Sequence, residues 1–403
     1  MKDRSLPISD SEVAQFREDT PGCEGRIFFN NAGASLQPKS VVERVIEHLR
    51  LEEEIGGYEA ADIVASDREK VYDSVARLIN AKSDEIAITE SATRAWDMAF
   101  YGMKFDPGDR IVTAQNEYSS NYIAFLQMAK KSGAEIICAP ANETGEVDIP
   151  ELEKILQTAD VKLVALTHIA TNNGMIQPAA EVGKLTRRYG IPFLLDACQS
   201  VGQMHLDVNE LGCDMLSATG RKFLRGPRGT GFLYVKRQML DKLEPPFLDN
   251  HAAEWCAKDA YSIRPDARKF EAFESSAAVA LGLGVAAAYA VAIGLTRIEA
   301  RVQKLAARLR EKLEDIEGIK VIDKGVNKSG IVIFIHDQLP ATHLVSQLAE
   351  KKIVVRMSPR FGTRLDRKIS ALDDLVRASV HYYNTEEEID QFCDTLAHLV
   401  SAL

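Results

Sequence analysis

Short apolar runs alternate with amphipathic helical patterns along most of the chain. The runs Arg26–Phe29, Glu85–Thr89, Arg110–Thr113, Glu135–Cys138, Val161–Thr167, Pro192–Asp196 and Gly231–Val235 read as buried strands. Between them, apolar residues recur at helical spacing over Val41–Leu51, Arg68–Leu78, Tyr122–Lys131, Ile149–Leu156 and Ala179–Tyr189. This alternation predicts an α/β fold, a mostly parallel sheet between helices. Past residue 275 the texture changes. An Ala-rich helix leads into a charged helical stretch, Arg297–Ile316, followed by strands near Ile319–Val321, Gly330–Ile335 and Ile353–Arg356. Thr385 and Glu388 open the last helix, which runs to Val400, as a capping box in which each side chain bonds the other's backbone N–H. The pattern divides the chain into a large domain over 25–275, a linking helix over 276–300, and a smaller α+β domain built from 1–24 and 301–403.

Composition narrows the function classes. The 403 residues carry 49 basic and 59 acidic side chains, a formal charge of −10. Such a balance disfavours nucleic-acid or anionic-membrane binding, both of which need basic surface. A small anion can still be held where basic residues cluster. Six cysteines form no CxxC pair and no cluster, which points to reduced thiols in a cytoplasmic protein and to no metal site. The N-terminus lacks the apolar run of a signal peptide. Ser275–Thr296 is uncharged over 22 residues, but its Ala, Gly and Val gain little from lipid, so it reads as a buried helix.

The candidate chemistry lies in 194–235. Asp196 ends an apolar strand, which places its carboxylate at the carboxyl edge of the sheet, where open α/β folds bind ligands. Gln199 follows closely. Lys222 sits in ATGRKFLRGPRG, where four of the eight residues from Arg221 to Arg228 are basic. A strand-end Asp and a Lys in a Gly-rich cationic loop are the groups pyridoxal 5′-phosphate (PLP) requires: an amine for its aldehyde, a carboxylate for its ring nitrogen, donors for its phosphate. On spacing alone, a solvated basic loop beside an ordinary Asp is the more frequent arrangement.

The residue pattern goes further. DACQSVGQ, SATGRK and GPRGTGFLYV together resemble the class V aminotransferase and cysteine desulfurase family of PLP enzymes, fold type I. FFNNAGASLQP, GGYEAA, ITESATRAWD, NEYSSN, THIATNNGMIQP and VRASVHYYNTEEEID match the same family in the same order, so the resemblance spans nearly the whole chain. It implies a large domain with a mostly parallel seven-stranded sheet, a smaller α+β C-terminal domain, and a homodimer with shared active sites. Lys222 is then the Schiff-base lysine and proton carrier at the substrate Cα. Asp196 pairs with the ring nitrogen and Gln199 with the ring hydroxyl. The phosphate is expected on backbone N–H groups around Ala92 and Thr93, a helix N-terminus, with Thr219 and Arg221 where the family often has Ser and His. Arg377 is the expected clamp for the substrate carboxylate, and Arg356 a second candidate. Asn31, Ala32 and Gly33 resemble a loop closing over the substrate, and Tyr58 one that reaches the neighbouring subunit's site. His168 reads as structural.

Three positions depart from the family pattern. Tyr118 stands where desulfurases stack a His on the ring; it can stack but cannot shuttle protons near neutral pH. Thr171 replaces an Asn that touches the ring hydroxyl or substrate. Glu274 replaces a phosphate-binding Thr, and its charge argues against that role. Desulfurases also carry a nucleophilic Cys on a small-domain loop, and MSPRFGTRLDRKISALDD has none, so a persulfide cannot be stored there. Tyr118, THIATNNG and SATGRKFLRGPRGTGFLYV look most similar to the C–S lyase branch, which includes hercynylcysteine sulfoxide lyases. The resemblance therefore implies β-elimination from a cysteine-derived amino acid. Transamination, or epimerisation as in isopenicillin N epimerase-like relatives, shares the same first steps and stays open.

Overall fold

The computed structural model describes residues 6–158, 160–359, 364–366 and 374–401. In chain order the strands are β1 (Ile27–Phe28), β2 (Ile86–Thr89), β3 (Arg110–Thr113), β4 (Glu135–Cys138), β5 (Val161–Thr167), β6 (Phe193–Asp196), β7 (Met215–Thr219) and β8 (Gly231–Val235). They continue with β9 (Ala253–Ala257), β10 (Ala260–Ile263), β11 (Ile319–Val321), β12 (Ile331–His336), β13 (Ile353–Val354), β14 (Arg356–Ser358) and β15 (Leu375–Ser379).

A seven-stranded sheet in the order β2-β8-β7-β6-β5-β3-β4 forms the centre. β3 to β7 run parallel, and β8 is antiparallel to both β2 and β7. Its membership differs from the sequence pattern in two ways. Met215–Thr219 joins although its Ser and Thr disguise it; every residue of that strand is buried. The run Arg26–Phe29 leaves the sheet, because Ile27 and Phe28 pair with Ile353 and Val354 of β13 instead. Helices cover both faces, among them Lys39–Ile55, Ala65–Ile79, Ser119–Ser132 and Ala179–Tyr189.

The Ala-rich segment is the helix Ala277–Ile293, which packs on Lys39–Ile55 and Ala65–Ile79. Close approach needs its glycines: a Cβ on Gly284 would lie 2.9 Å from Val71 Cγ2. An all-round apolar helix is what a core position between other helices selects. Among the described residues no single helix is long and apolar enough to cross a membrane; this one bends by 80° into Leu295–Glu314.

The C-terminal part forms an antiparallel sheet, β11-β12-β15-β14, with its own core of Leu305, Leu309, Phe334, Val376, Phe392 and Leu396. The closing helix Glu386–Ser401 is capped as its sequence predicts: Thr385 Oγ1 accepts from Glu388 N at 3.2 Å, and the Glu388 carboxylate from Thr385 N at 3.1 Å.

Arg225 ties these parts together. Its side chain is fully buried, donates to Leu36 O, Tyr382 Oη and Thr20 Oγ1, and lies 4.4 Å from the Tyr383 ring centroid. Truncation would strand a carbonyl and two hydroxyls in the core and leave a void. Arg225→Ala should lower unfolding free energy by about 3 kcal/mol, read from urea denaturation; an unchanged midpoint would refute the role.

Candidate active site

The carboxyl ends of β5, β6 and β7 open onto one hollow, lined by residues from all three strand ends and from the helix Ala92–Tyr101. A parallel sheet delivers its strand ends to a common edge, so residues far apart in sequence meet there.

Asp196 is the last residue of β6. Its buried carboxylate accepts from Cys198 N at 2.9 Å and Asn121 Nδ2 at 3.0 Å. Lys222 lies three residues past β7 in the wall of the same hollow. Burial pushes its ammonium pKa below the ordinary lysine value; Cys198 and Asp196 oppose the shift, and Arg221 and Arg377 reinforce it. The amine is thus biased toward its neutral, nucleophilic form.

The opposite wall is a helix start. Ser91 is the N-cap, its hydroxyl accepting from Arg94 N at 3.1 Å, so Thr93 is not the cap. The N–H groups of the first turn have no partner inside a helix and can take an anion. Thr219 and Arg221 face the same hollow, and the Arg221 guanidinium donates to Gly33 O. Gly231 on β8 keeps this helix start in place, because a Cβ there would lie 2.5 Å from the Ser91 carbonyl carbon and 2.6 Å from Ala92 N.

A second cationic group closes the site. Arg377, on β15, donates to Thr171 Oγ1 at 2.7 Å, and Gln199 Nε2 donates to the same oxygen at 3.0 Å and to Ala32 O at 3.2 Å. Arg377 Nε and Gln199 Oε1 are buried and find no hydrogen-bond partner among the described residues. Arg356 lies directly opposite Arg377 on β14. Burial first, then Arg221 and Arg356, bring the Arg377 pKa down to about 10. A guanidinium so placed has every reason to take a carboxylate.

Other sequence candidates separate. Asn31 is buried, but its side chain serves the loop, bonding Ser379 O, Ser35 Oγ and Tyr383 Oη. Ala32 and Gly33 contribute carbonyls to Gln199 and Arg221. Tyr118 lines the hollow at the start of Ser119–Ser132. Tyr58 is 76 % exposed and does not line the hollow of its own chain. His168 bonds Ser200 Oγ at 3.0 Å, and burial brings its pKa down to about 4, so it is a neutral packing residue as expected. Of the loop MSPRFGTRLDRKISALDD, residues 360–363 and 367–373 lie outside the described residues. Sequence reasoning missed Ser91, Asn116, Glu117, Asn121, Asn172 and Cys198. The preference of Ser for N-caps could have found Ser91; the others lie inside NEYSSN, THIATNNG and DACQSVGQ, where no local pattern gives them individual roles.

Residues 27–392 match the family described as Aminotransferase class-V. The chain belongs to that family. Relatives include proteins named "Probable cysteine desulfurase" from Pyrococcus abyssi, 33% identical with 96% of this chain and 97% of the relative covered, and from Methanothermobacter thermautotrophicus, 30% identical with 95% and 97% covered. Among solved structures, the apo cysteine desulfurase of Thermococcus onnurineus NA1 superposes with a TM-score of 0.90 at 30% identity, covering 97% of this chain and 98% of that one. The cystine C–S lyase C-DES, solved with cysteine persulfide, shares the fold at a TM-score of 0.82 and 23% identity, covering 94% and 99%.

The cofactor of this class V chain is pyridoxal 5′-phosphate, and the hollow fits it. A desolvated amine, a buried carboxylate, an open helix N-terminus and an orphaned amide oxygen on Gln199 are the partners its aldehyde, ring nitrogen, phosphate and ring hydroxyl need. Lys222→Ala should abolish the borohydride-reducible absorbance near about 410–430 nm that a Schiff base gives; a retained reducible band would move the assignment. Gly231→Ala should weaken PLP binding by about tenfold or more, measured by fluorescence titration, and unchanged affinity would count against the close packing.

Proposed function

We propose that this chain is a PLP-dependent C–S lyase that β-eliminates a sulfur group from a cysteine-derived amino acid. The observation that carries the reading is the state of the site's thiol. Cys198 lines the hollow, and burial, then Asp196, hold its pKa well above the ordinary thiol value, which disfavours the nucleophilic thiolate. No cysteine occurs in 357–374 either. Among the described residues, sulfur leaving a substrate here meets no ready thiolate acceptor, which favours release over persulfide storage, although the relatives named above carry the desulfurase name.

The chain's own groups suit the chemistry. Arg377 and Thr171 hold the α-carboxylate and so fix which Cα bonds face Lys222. Lys222, desolvated beside Arg221 and Arg377, is available as a neutral base for the Cα proton. Asp196, fixed by two N–H donors, keeps a proton on the ring nitrogen. The cofactor supplies the electron sink that stabilises charge at Cα. Tyr118 gives the hollow an aromatic wall.

The same reading includes a cytoplasmic homodimer in which exposed Tyr58 reaches the other copy's site, and a division into a large domain, 25–275, a linking helix and a small domain. The separate hydrophobic cluster of the C-terminal sheet supports that division.

Incubation with S-substituted cysteines and their sulfoxides should release pyruvate and ammonia in equal amounts. Keto-acid-dependent amino transfer without pyruvate would establish an aminotransferase instead, and Cα inversion alone an epimerase. Arg377→Ala should raise KM for any α-carboxylate substrate by about tenfold to a hundredfold; an unchanged KM would place the clamp elsewhere.

A further inference from the structure

Beneath Asp196 lies a second buried carboxylate that the chemistry above leaves unused. Glu117 sits in the turn between β3 and the helix Ser119–Ser132. Its Oε1 accepts from Thr167 Oγ1 at 2.5 Å, Asn121 Nδ2 at 2.8 Å and Tyr118 N at 3.0 Å; its Oε2 accepts from Thr113 Oγ1 at 2.8 Å. The Asn121 amide nitrogen that reaches Glu117 also reaches Asp196 Oδ2 at 3.0 Å. One NH₂ group therefore spends both hydrogens bridging two buried carboxylates. An amide whose two protons are so committed holds the Asp196 carboxylate in a single orientation, and its strength as a donor depends on the charge of both acceptors.

We infer that Glu117 is a positioning residue: through Asn121 it orients the Asp196 carboxylate toward the cofactor's ring nitrogen, and its negative charge strengthens the hold on a protonated ring. This rests on the PLP reading. Asp196 carries the direct contact, and Glu117 acts at one remove, adding a second negative charge behind the first. That charge is titratable in the working range. Burial raises the Glu117 carboxyl to about 7, opposed by Thr167 and Asn121 and reinforced by Asp196. Of the other titratable groups packed against it, the Cys138 thiol on β4 is pushed up to about 11, by burial first and then by Glu117, and stays neutral. A raised carboxyl is protonated below its folded value and charged above it, so the added attraction exists only on the alkaline side.

The test is PLP affinity at two pH values, read by the cofactor's absorbance and fluorescence and not by turnover. Glu117→Gln keeps the shape and can donate to Thr113, but cannot be charged. It should match the wild type at about pH 5.5 and bind PLP about three- to tenfold more weakly at about pH 8.5. A general packing defect would weaken binding at both values, and equal affinity at both would also overturn the inference. Thr113→Val serves as the second variant, since Thr113 touches only the far oxygen of Glu117. Losing that bond disfavours the charged form, so the alkaline gain in affinity should set in at higher pH than in the wild type; an unmoved onset overturns the inference even if Glu117→Gln fails to fold. A wild type that binds no PLP at either pH would overturn the parent reading as well, whereas bound PLP with an unaltered variant profile refutes Glu117 alone.

Discussion

Positive charge left without a carboxylate partner among the described residues is the constraint around which this site is organised. Arg221 and Arg377 reach a backbone carbonyl and a threonine hydroxyl, and among the described residues neither makes an ion pair with a carboxylate. Partly buried guanidiniums with neutral partners are costly, and the cost falls when anions arrive. A phosphate and a substrate carboxylate are the anions this geometry admits. Burial depresses the Lys222 pKa, and Arg221 and Arg377 add to the shift against Cys198 and Asp196, so the groups that attract the ligands also help prepare the nucleophile. Asp196 is the counterweight, and its placement decides which part of the ligand meets negative charge.

Holding such a field in place demands a scaffold that does not relax. The parallel strands β5, β6 and β7 end together, and the helix start at Ser91 packs so tightly against Gly231 that no Cβ fits between them. Arg225 performs the same service behind the site. It is buried with no carboxylate partner among the described residues, satisfied by Thr20, Leu36 and Tyr382, and it links the N-terminal segment, the loop after Lys222 and the turn after β15.

Much of this was legible in the sequence. Apolar runs located six of the seven central strands, and the Asp-to-Lys segment located the centre of the site. The failures have physical causes. Met215–Thr219 hides because its polar letters are buried by neighbours on both sides, where the sheet satisfies them. Ile27 and Phe28 look like a central strand because pairing with a segment more than three hundred residues away leaves no local trace. Glu117 reads as a loop acid in NEYSSN, since burial is set by the hydroxyls of Thr113 and Thr167, each on a different strand. Asn31 shows another limit: its motif suggests a loop that closes over the substrate, and the sequence does not tell that Tyr383, Ser379 and Ser35 take its side chain.

The contact between Arg377 and Thr171 carries the last consequence. Arg377 belongs to the antiparallel C-terminal sheet, and Thr171 follows β5 of the central one. Gln199, just past β6, donates to the same threonine oxygen, so one hydroxyl joins Arg377 to the wall of the hollow. A substrate carboxylate accepted by Arg377 competes for the guanidinium that now serves Thr171. Releasing that hydroxyl changes what Gln199 can offer the ring. On the proposed reading, in which Arg377 takes the substrate carboxylate, substrate recognition and cofactor setting are coupled through a single side chain.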